Sequence, residues 1–260
     1  MFGTYIGDDK MLIKMSYCGF LMISSKDLSL MPSLVTTGAI EPLLTKFFIQ
    51  EVKPGNTIVD IGANVGYFTV LAGYLVGTHG KVIGYEANPT VYEMLQDNIA
   101  MNWITTQTKL YNKAVYSEEK TLSFRSSNKF HGDSSTHFRP ENENRVEDYT
   151  IIDVEGVTLD QQLRDIPQID LLKIDIEGGE YHAFLGMMEL IKQKKIKRIV
   201  FEWNVVMLGE DKDPFFRLLQ EIQEKHGGSF HILDQEGRPV QVALEAITYY
   251  EFYPYGLIQF

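Results

Sequence analysis

Residues 57–88, TIVDIGANVGYFTVLAGYLVGTHGKVIGYEAN, constrain the fold more than any other stretch of the chain. Residues 57–61 are a short apolar run rich in β-branched side chains, the composition of a strand buried on both faces. Gly62-Ala-Asn-Val-Gly66 is a turn, and residues 67–76 are apolar enough for a buried helix. Gly77 and Gly80 break that helix, and residues 81–85 form a second strand closed by Glu86. Strand, glycine turn, helix and strand make the first half of a nucleotide-binding α/β unit, whose ligand sits outside the carboxyl ends of the strands.

Lacking a Cβ, Gly62 can take a tight turn and Gly66 can let a ligand or helix approach closely. Glu86 follows Gly66 by twenty residues, where a carboxylate accepts hydrogen bonds from both hydroxyls of a ribose. The dinucleotide fingerprint G-x-G-x-x-G is not matched, because its second glycine falls at Asn64 and its third at Tyr67. A pyrophosphate would meet side chains where it needs bare backbone, which disfavours a nicotinamide-dependent oxidoreductase. A ligand with a ribose and no phosphate fits better, and S-adenosylmethionine is such a ligand. Asp60, at the strand end, is placed to hold its amino group, directly or through water. The bland alternative is a structural glycine turn with no nucleotide.

The chain has 260 residues, 44% hydrophobic, enough for one large α/β domain with a decorated N-terminus. Its formal net charge of -11 repels phosphate backbones and argues against nucleic acid as a partner. The basic run at 192–198 reads as a solvated helix end. Cys18 is the only cysteine, so no intramolecular disulfide forms. No apolar run reaches membrane-spanning length, and the first residues show no basic segment leading into an apolar core. A cytoplasmic protein without a membrane partner is expected.

Residues 1–37 read as an N-terminal extension, with strands at 10–14 and 20–24 in a hairpin, serving as sheet edge or lid. Residues 38–260 form the main domain. Pro42 opens a helix, and Asn88-Pro89 caps and starts another. Asn112 ends a third strand, where its amide reads a base edge or serves a plain turn. Residues 126–148 are a long polar stretch whose His131, Asp133, Ser134, His137 and Arg139 would contact a polar substrate or only solvent.

The second informative motif is KIDIEGGE, at 173–180. It ends a fourth core strand, turns at Gly178 and Gly179, and enters a helix over 180–192. Asp175 and Glu177 project from one side of an extended chain. Glu177 is the candidate of the two for a structural capping role, and His182 points either to the site or to solvent. A fifth strand ends at Glu202-Trp-Asn204. Antiparallel strands at the C-terminus fit a mixed sheet edge.

Four segments, GAIEP (38–42), VKPGNTIVDIGANVGYFT (52–69), GYEANP (84–89) and LLKIDIEGGE (171–180), together resemble the FkbM family of S-adenosylmethionine-dependent methyltransferases. The resemblance covers roughly residues 38–205. It implies the Rossmann-like class I methyltransferase fold: an α/β, seven-stranded mixed sheet with helices on both faces and the last strand antiparallel. It also implies O-methylation of sugars, polyketides and similar secondary metabolites. Carried over by position, Asp60, Gly62, Asn64, Gly66, Phe68 and Thr69 surround the methionine and sulfonium end. Glu86 holds the ribose, and Ala87, Asn112 and Ala114 lie near the adenine. The chain departs from the commonest family form at Gly179, where alanine is frequent.

Methyl transfer to a hydroxyl needs an in-line geometry and removal of the hydroxyl proton. Asp175 and Glu202 end neighbouring strands, which lie about 5 Å apart, and with Asn204 they make an oxygen-rich site suited to magnesium. Without a metal, Asp175 or His182 is the candidate base. The partner is then a small-molecule hydroxyl acceptor. N-methylation by the same fold and a non-catalytic nucleotide-binding module are the alternatives. The aromatic tail and the apolar N-terminal strands are candidate surfaces for a homodimer.

Overall fold

A computed structural model describes residues 2–127 and 149–260. The chain opens with β1 (Gly3–Gly7), β2 (Lys10–Lys14) and β3 (Phe20–Ser24), an antiparallel sheet in that order. The hairpin of β2 and β3 follows the sequence pattern. β1, GTYIG, has glycine at both ends and mostly exposed side chains, so it carries no strand signature. Two helices follow, α1 (Met31–Thr37) and α2 (Pro42–Glu51).

The central unit then runs β4 (Thr57–Ile61), α3 (Tyr67–Val76), β5 (Lys81–Tyr85), α4 (Pro89–Met101) and β6 (Thr108–Tyr111). Asn88 caps α4 by accepting a hydrogen bond from the Thr90 N–H, and Pro89 takes the first helical position, where its missing donor costs nothing. Next come β7 (Ala114–Val115), β8 (Lys120–Ser127) and β9 (Tyr149–Val157), a separate small sheet in the order β7-β9-β8.

The chain returns through α5 (Leu159–Gln162) to β10 (Leu171–Ile174), α6 (Glu180–Leu185) and α7 (Met188–Lys192). The single helix predicted over 180–192 is therefore two. The Gly186 carbonyl accepts from the Asp160 N–H, and the Asp160 carboxylate accepts from the Glu189 and Leu190 N–H groups, so Asp160 ends one helix and begins the next. The remaining elements are β11 (Arg198–Asn204), α8 (Val205–Leu208), α9 (Lys212–His226), β12 (Ser229–Leu233), β13 (Pro239–Gln241), α10 (Glu245–Thr248) and β14 (Phe252–Gln259).

The main sheet has the order β13-β12-β14-β11-β10-β4-β5-β6. Five neighbours from β11 to β6 are parallel, and β14 is antiparallel to both β11 and β12. This is the Rossmann-like mixed sheet of class I methyltransferases, with eight strands where seven are expected. The eighth, β13, is an edge strand paired to β12 through a turn that Asp234 closes by accepting from the Glu236 and Arg238 N–H groups. β14 lies inside the sheet, so of the aromatic tail only Tyr249, Tyr250 and Phe252 are exposed large hydrophobics.

Both faces are covered. α2, α3 and α4 pack Phe47, Phe48, Leu71, Leu95 and Ile99 against Ile58, Val82 and Leu171. α6, α7 and α9 pack Phe184, Leu190, Phe215 and Ile222 against Val59, Ile83 and Leu172. Successive strand residues thus serve opposite faces, and each fully buried large side chain contributes about 1.5–3 kcal/mol. The order reverses between β4 and β10, the switch point at which such sheets bind ligands. Among the described residues no helix is long and apolar enough to cross a membrane.

Candidate active site

A cavity of about 450 Å³ opens at that switch point, a volume suited to a nucleoside-sized ligand. Its wall includes the 62–65 turn, Glu86 and Ala87 after β5, Ala114 and Val115 of β7, residues 173–177 at the end of β10, and Glu202 of β11. Other parts come from far along the chain: Ser29 and Leu30 before α1, Ile40 and Glu41 before α2, Phe124 of β8, and Phe252, Pro254 and Tyr255 of β14.

Gly62 has φ of +75°, and a Cβ there would strike the backbone carbonyl of Asp175. Glycine therefore lets the end of β10 press directly against the turn after β4, which joins the two sequence motifs. The Gly62 and Ala63 N–H groups both donate to the Tyr85 carbonyl, at 3.0 and 2.9 Å. Asn64 is also left-handed, at φ +51°, a conformation asparagine tolerates better than most residues. Its N–H donates to Glu86 Oε2 at 2.8 Å, while Oε1 accepts from the Asn88 N–H at 2.8 Å. Glu86 is thus fixed from two sides. Burial pushes its carboxyl up to about 7, opposed by those two backbone hydrogen bonds. A carboxylate has about four lone-pair sites, so two remain to accept from ribose hydroxyls.

Asp60 sits beneath the cavity and does not line it. It is 1% exposed; Oδ2 accepts from Thr69 Oγ1 at 2.6 Å, and Oδ1 lies 3.5 Å from Lys173 Nζ. Thr69 and Gly66 are likewise outside the lining, whereas Gly62, Asn64 and Phe68 form part of it. Gly66 serves as the left-handed residue that starts α3, at φ +97°. Lys173 reaches Asp175 as well, at 3.2 Å, and lies 5.3 Å from the Phe68 ring centre. Burial opposes its charge, but Asp175, Asp60 and Glu41 outweigh that and hold its ammonium above the ordinary range.

Asp175, Glu177 and Glu202 each offer a carboxylate oxygen within 4.8 Å of the others. Burial, then the nearby Asp175 and Glu180, push the Glu202 carboxyl up to about 8, with Asn204 Nδ2 donating to it at 2.9 Å. Glu41 is likewise pushed up to about 8, chiefly by burial and then by Asp175. Burial and the same acids raise the Tyr255 hydroxyl.

Three assignments change with the structure. His182 does not line the cavity: Nδ1 meets Ser117 Oγ at 3.0 Å, Nε2 lies 3.3 Å from Asp211, and the ring stacks on Tyr116 at 4.2 Å. Held by these three partners and absent from the cavity wall, it is not placed to act as the base. Asn112 takes the turn role, donating to the Glu86 and Ala87 carbonyls at 2.8 and 3.1 Å, while Ala87 and Ala114 line the cavity. Glu180, not Glu177, caps the strand-to-helix turn, accepting from the Ile176 and Gly178 N–H groups. His131, Asp133, Ser134, His137 and Arg139 lie outside the described residues. Sequence reasoning missed Glu41, Lys173 and Tyr255. The first two stand inside the GAIEP and KIDIEGGE motifs, whereas nothing local singles out Tyr255.

Residues 60–230 match the methyltransferase FkbM domain. The chain belongs to that family. A curated relative, the methyltransferase sdnD of Sordaria araneosa, is 27% identical over 191 residues, covering 58% of this chain and 72% of that protein. Solved structures with a distant likeness include the O-methyltransferase of Bacillus cereus in complex with SAH, at 16% identity and a TM-score of 0.46 over 85% of this chain and 80% of that one. Precorrin-6y C5,15-methyltransferase of Geobacter metallireducens is another, at 14% identity and a TM-score of 0.41 over 84% and 85%. This FkbM-domain protein is an S-adenosylmethionine-dependent methyltransferase. Its cavity fits that donor: a fixed carboxylate with spare lone pairs at the end of β5, small residues at 62–63, and apolar walls at Ala87, Ala114 and Val115.

Proposed function

We propose that this FkbM-domain methyltransferase methylates a hydroxyl of a small-molecule acceptor. The observation that carries the reading is the convergence of Asp175 and Glu202, from neighbouring strands β10 and β11, on the wall of a partly apolar cavity. S-adenosylmethionine, when bound, would supply an electrophilic methyl group: an acceptor oxygen in line with the C–S bond would take the methyl and S-adenosylhomocysteine would leave as the neutral thioether. An unactivated hydroxyl needs a base to take its proton, whereas an amine needs less help. Two acids at the strand ends match that need. The Lys173 ammonium donates to Asp175 and favours its charged form, whereas Glu202 meets the neutral amide of Asn204, which makes Glu202 the better of the two to accept the proton. Phe252 and Tyr255 add aromatic surface to the cavity wall.

A second reading has its own observation. Three carboxylates within 4.8 Å would hold a hard divalent cation such as magnesium, through Asp175, Glu177 and Glu202, and that cation would acidify the hydroxyl.

The test is transfer of isotopically labelled methyl from S-adenosylmethionine to a mixed panel of sugars, phenols and amines, with product mass spectrometry. Methyl on oxygen, and a fall of about 10²–10³ in rate for Glu202→Gln, support the reading. Methyl on nitrogen alone overturns it. A rate abolished by chelator and restored by magnesium moves the choice to the cation.

A further inference from the structure

We infer that Glu41 receives the ammonium group at the amino-acid end of the methyl donor. The inference rests on the chain binding S-adenosylmethionine. The sequence offers Asp60 for this task, directly or through water, but Asp60 is 1% exposed, bonded to Thr69, faced by Lys173 and absent from the cavity wall, so direct contact falls to another carboxylate.

The carboxylates that do line the cavity are not equivalent. Glu86 is held at both oxygens by the Asn64 and Asn88 N–H groups. Asp175 meets Lys173 at 3.2 Å, and Glu202 accepts from Asn204. Glu177 has partners of its own. The Glu41 carboxylate lines the cavity and accepts no hydrogen bond from the described residues.

Its location matches the amino-acid end. Ile58 and Leu171 pack in the cluster of α2, α3 and α4, and Asp60 and Lys173 lie two residues further along the same strands, hence on the same face. Ile40 and Leu44, which flank Glu41, belong to that cluster too, along with Ala63 and Val65 of the glycine turn. Glu41 therefore shares the cavity wall with the glycine turn, and it lies near enough to Asp175, Lys173 and Asp60 to feel their charges. Its backbone is left-handed, at φ +44°, and Pro42 fixes the first helical residue after it, so α2 holds the side chain in place from its first turn. An ammonium group donates three hydrogen bonds and carries the charge that offsets the repulsion between Glu41 and Asp175.

The test compares two probes by titration calorimetry: S-adenosylhomocysteine, which keeps the amino-acid end, and 5′-methylthioadenosine, which lacks it. In Glu41→Gln, S-adenosylhomocysteine is expected to bind about tenfold more weakly or worse, the loss of a charged hydrogen bond. Methylthioadenosine is expected to change less than about twofold. Equal weakening of both probes would make Glu41 a structural residue and overturn the inference, as would no weakening of either. If Glu41→Gln does not fold, the same ratio is read in Glu41→Asp, whose shorter carboxylate falls back from the cavity. A wild-type protein that binds neither probe overturns the donor reading as well, and so separates the two failures.

Discussion

Gly62 and Glu86 show how single residues set the chemistry of this site. A hydrogen in place of a methyl at Gly62 lets the Asp175 backbone close against the turn. Glu86 is then pinned by the turn's own Asn64. Its carboxyl, raised to about 7 by burial, has a consequence in both binding and stability. Ionisation strengthens acceptance from ribose hydroxyls, so affinity for S-adenosylhomocysteine is expected to rise as pH increases through about 7. Calorimetry across that range checks it, with Glu86→Gln expected to flatten this part of the profile. Asp60 and Lys173 are the other charged groups near Glu86. The sign for the ligand-free fold is the reverse. A carboxyl with a raised folded value contributes stability that is complete below its unfolded value of about 4.3 and is lost as pH rises through about 7. At this scale the sequence indicates which residue types matter, but not which are free to act. Asp60, His182 and Asn112 all look available in the chain, and each is occupied by a partner that only folding brings near.

At the scale of elements, α4 does more than cover the sheet. Asn98 Nδ2 donates to the Met22 carbonyl at 2.8 Å and to the Val65 carbonyl at 2.7 Å, and its Oδ1 accepts from the Met22 N–H at 2.6 Å. Asn102 makes the same pair of bonds to Phe20. Two amides one helical turn apart thus bond to the outer edge of β3 as a neighbouring strand would, and tie the N-terminal sheet to the glycine turn. Replacing Asn98 by Leu leaves buried backbone groups unpaired, at about 1–3 kcal/mol each. The expected result is a loss of at least about 2 kcal/mol in denaturant unfolding, with the first proteolytic cuts inside residues 1–30. Strands, caps and the hairpin of the extension are legible because they follow local periodicity and turn chemistry. The break between α6 and α7 is not, because Asp160 makes it from twenty-six residues before Gly186.

For the whole molecule, the cavity is assembled from stretches scattered between Ser29 and Tyr255, and a ligand that fills it should hold them together. S-adenosylhomocysteine at a hundred times its dissociation constant is expected to add about 2.7 kcal/mol of stability. That raises the melting temperature by several degrees, about 2–4 °C per kcal/mol for a domain of this size. Differential scanning calorimetry checks it, and Glu86→Gln should reduce the shift. The sequence by itself determined the α/β class, the strand-turn-helix unit, the turn glycines, the carboxylate at the end of β5 and the family. Each of these depends on contacts within a few residues, where period and backbone sterics decide. The tertiary structure alone decided that residues 41 and 255 join Asp175 and Glu202 on one cavity, that Asp60 lies beneath it and that His182 lies outside it. Strand pairing and helix packing bring together residues more than a hundred positions apart, and no local pattern records where such pairings fall.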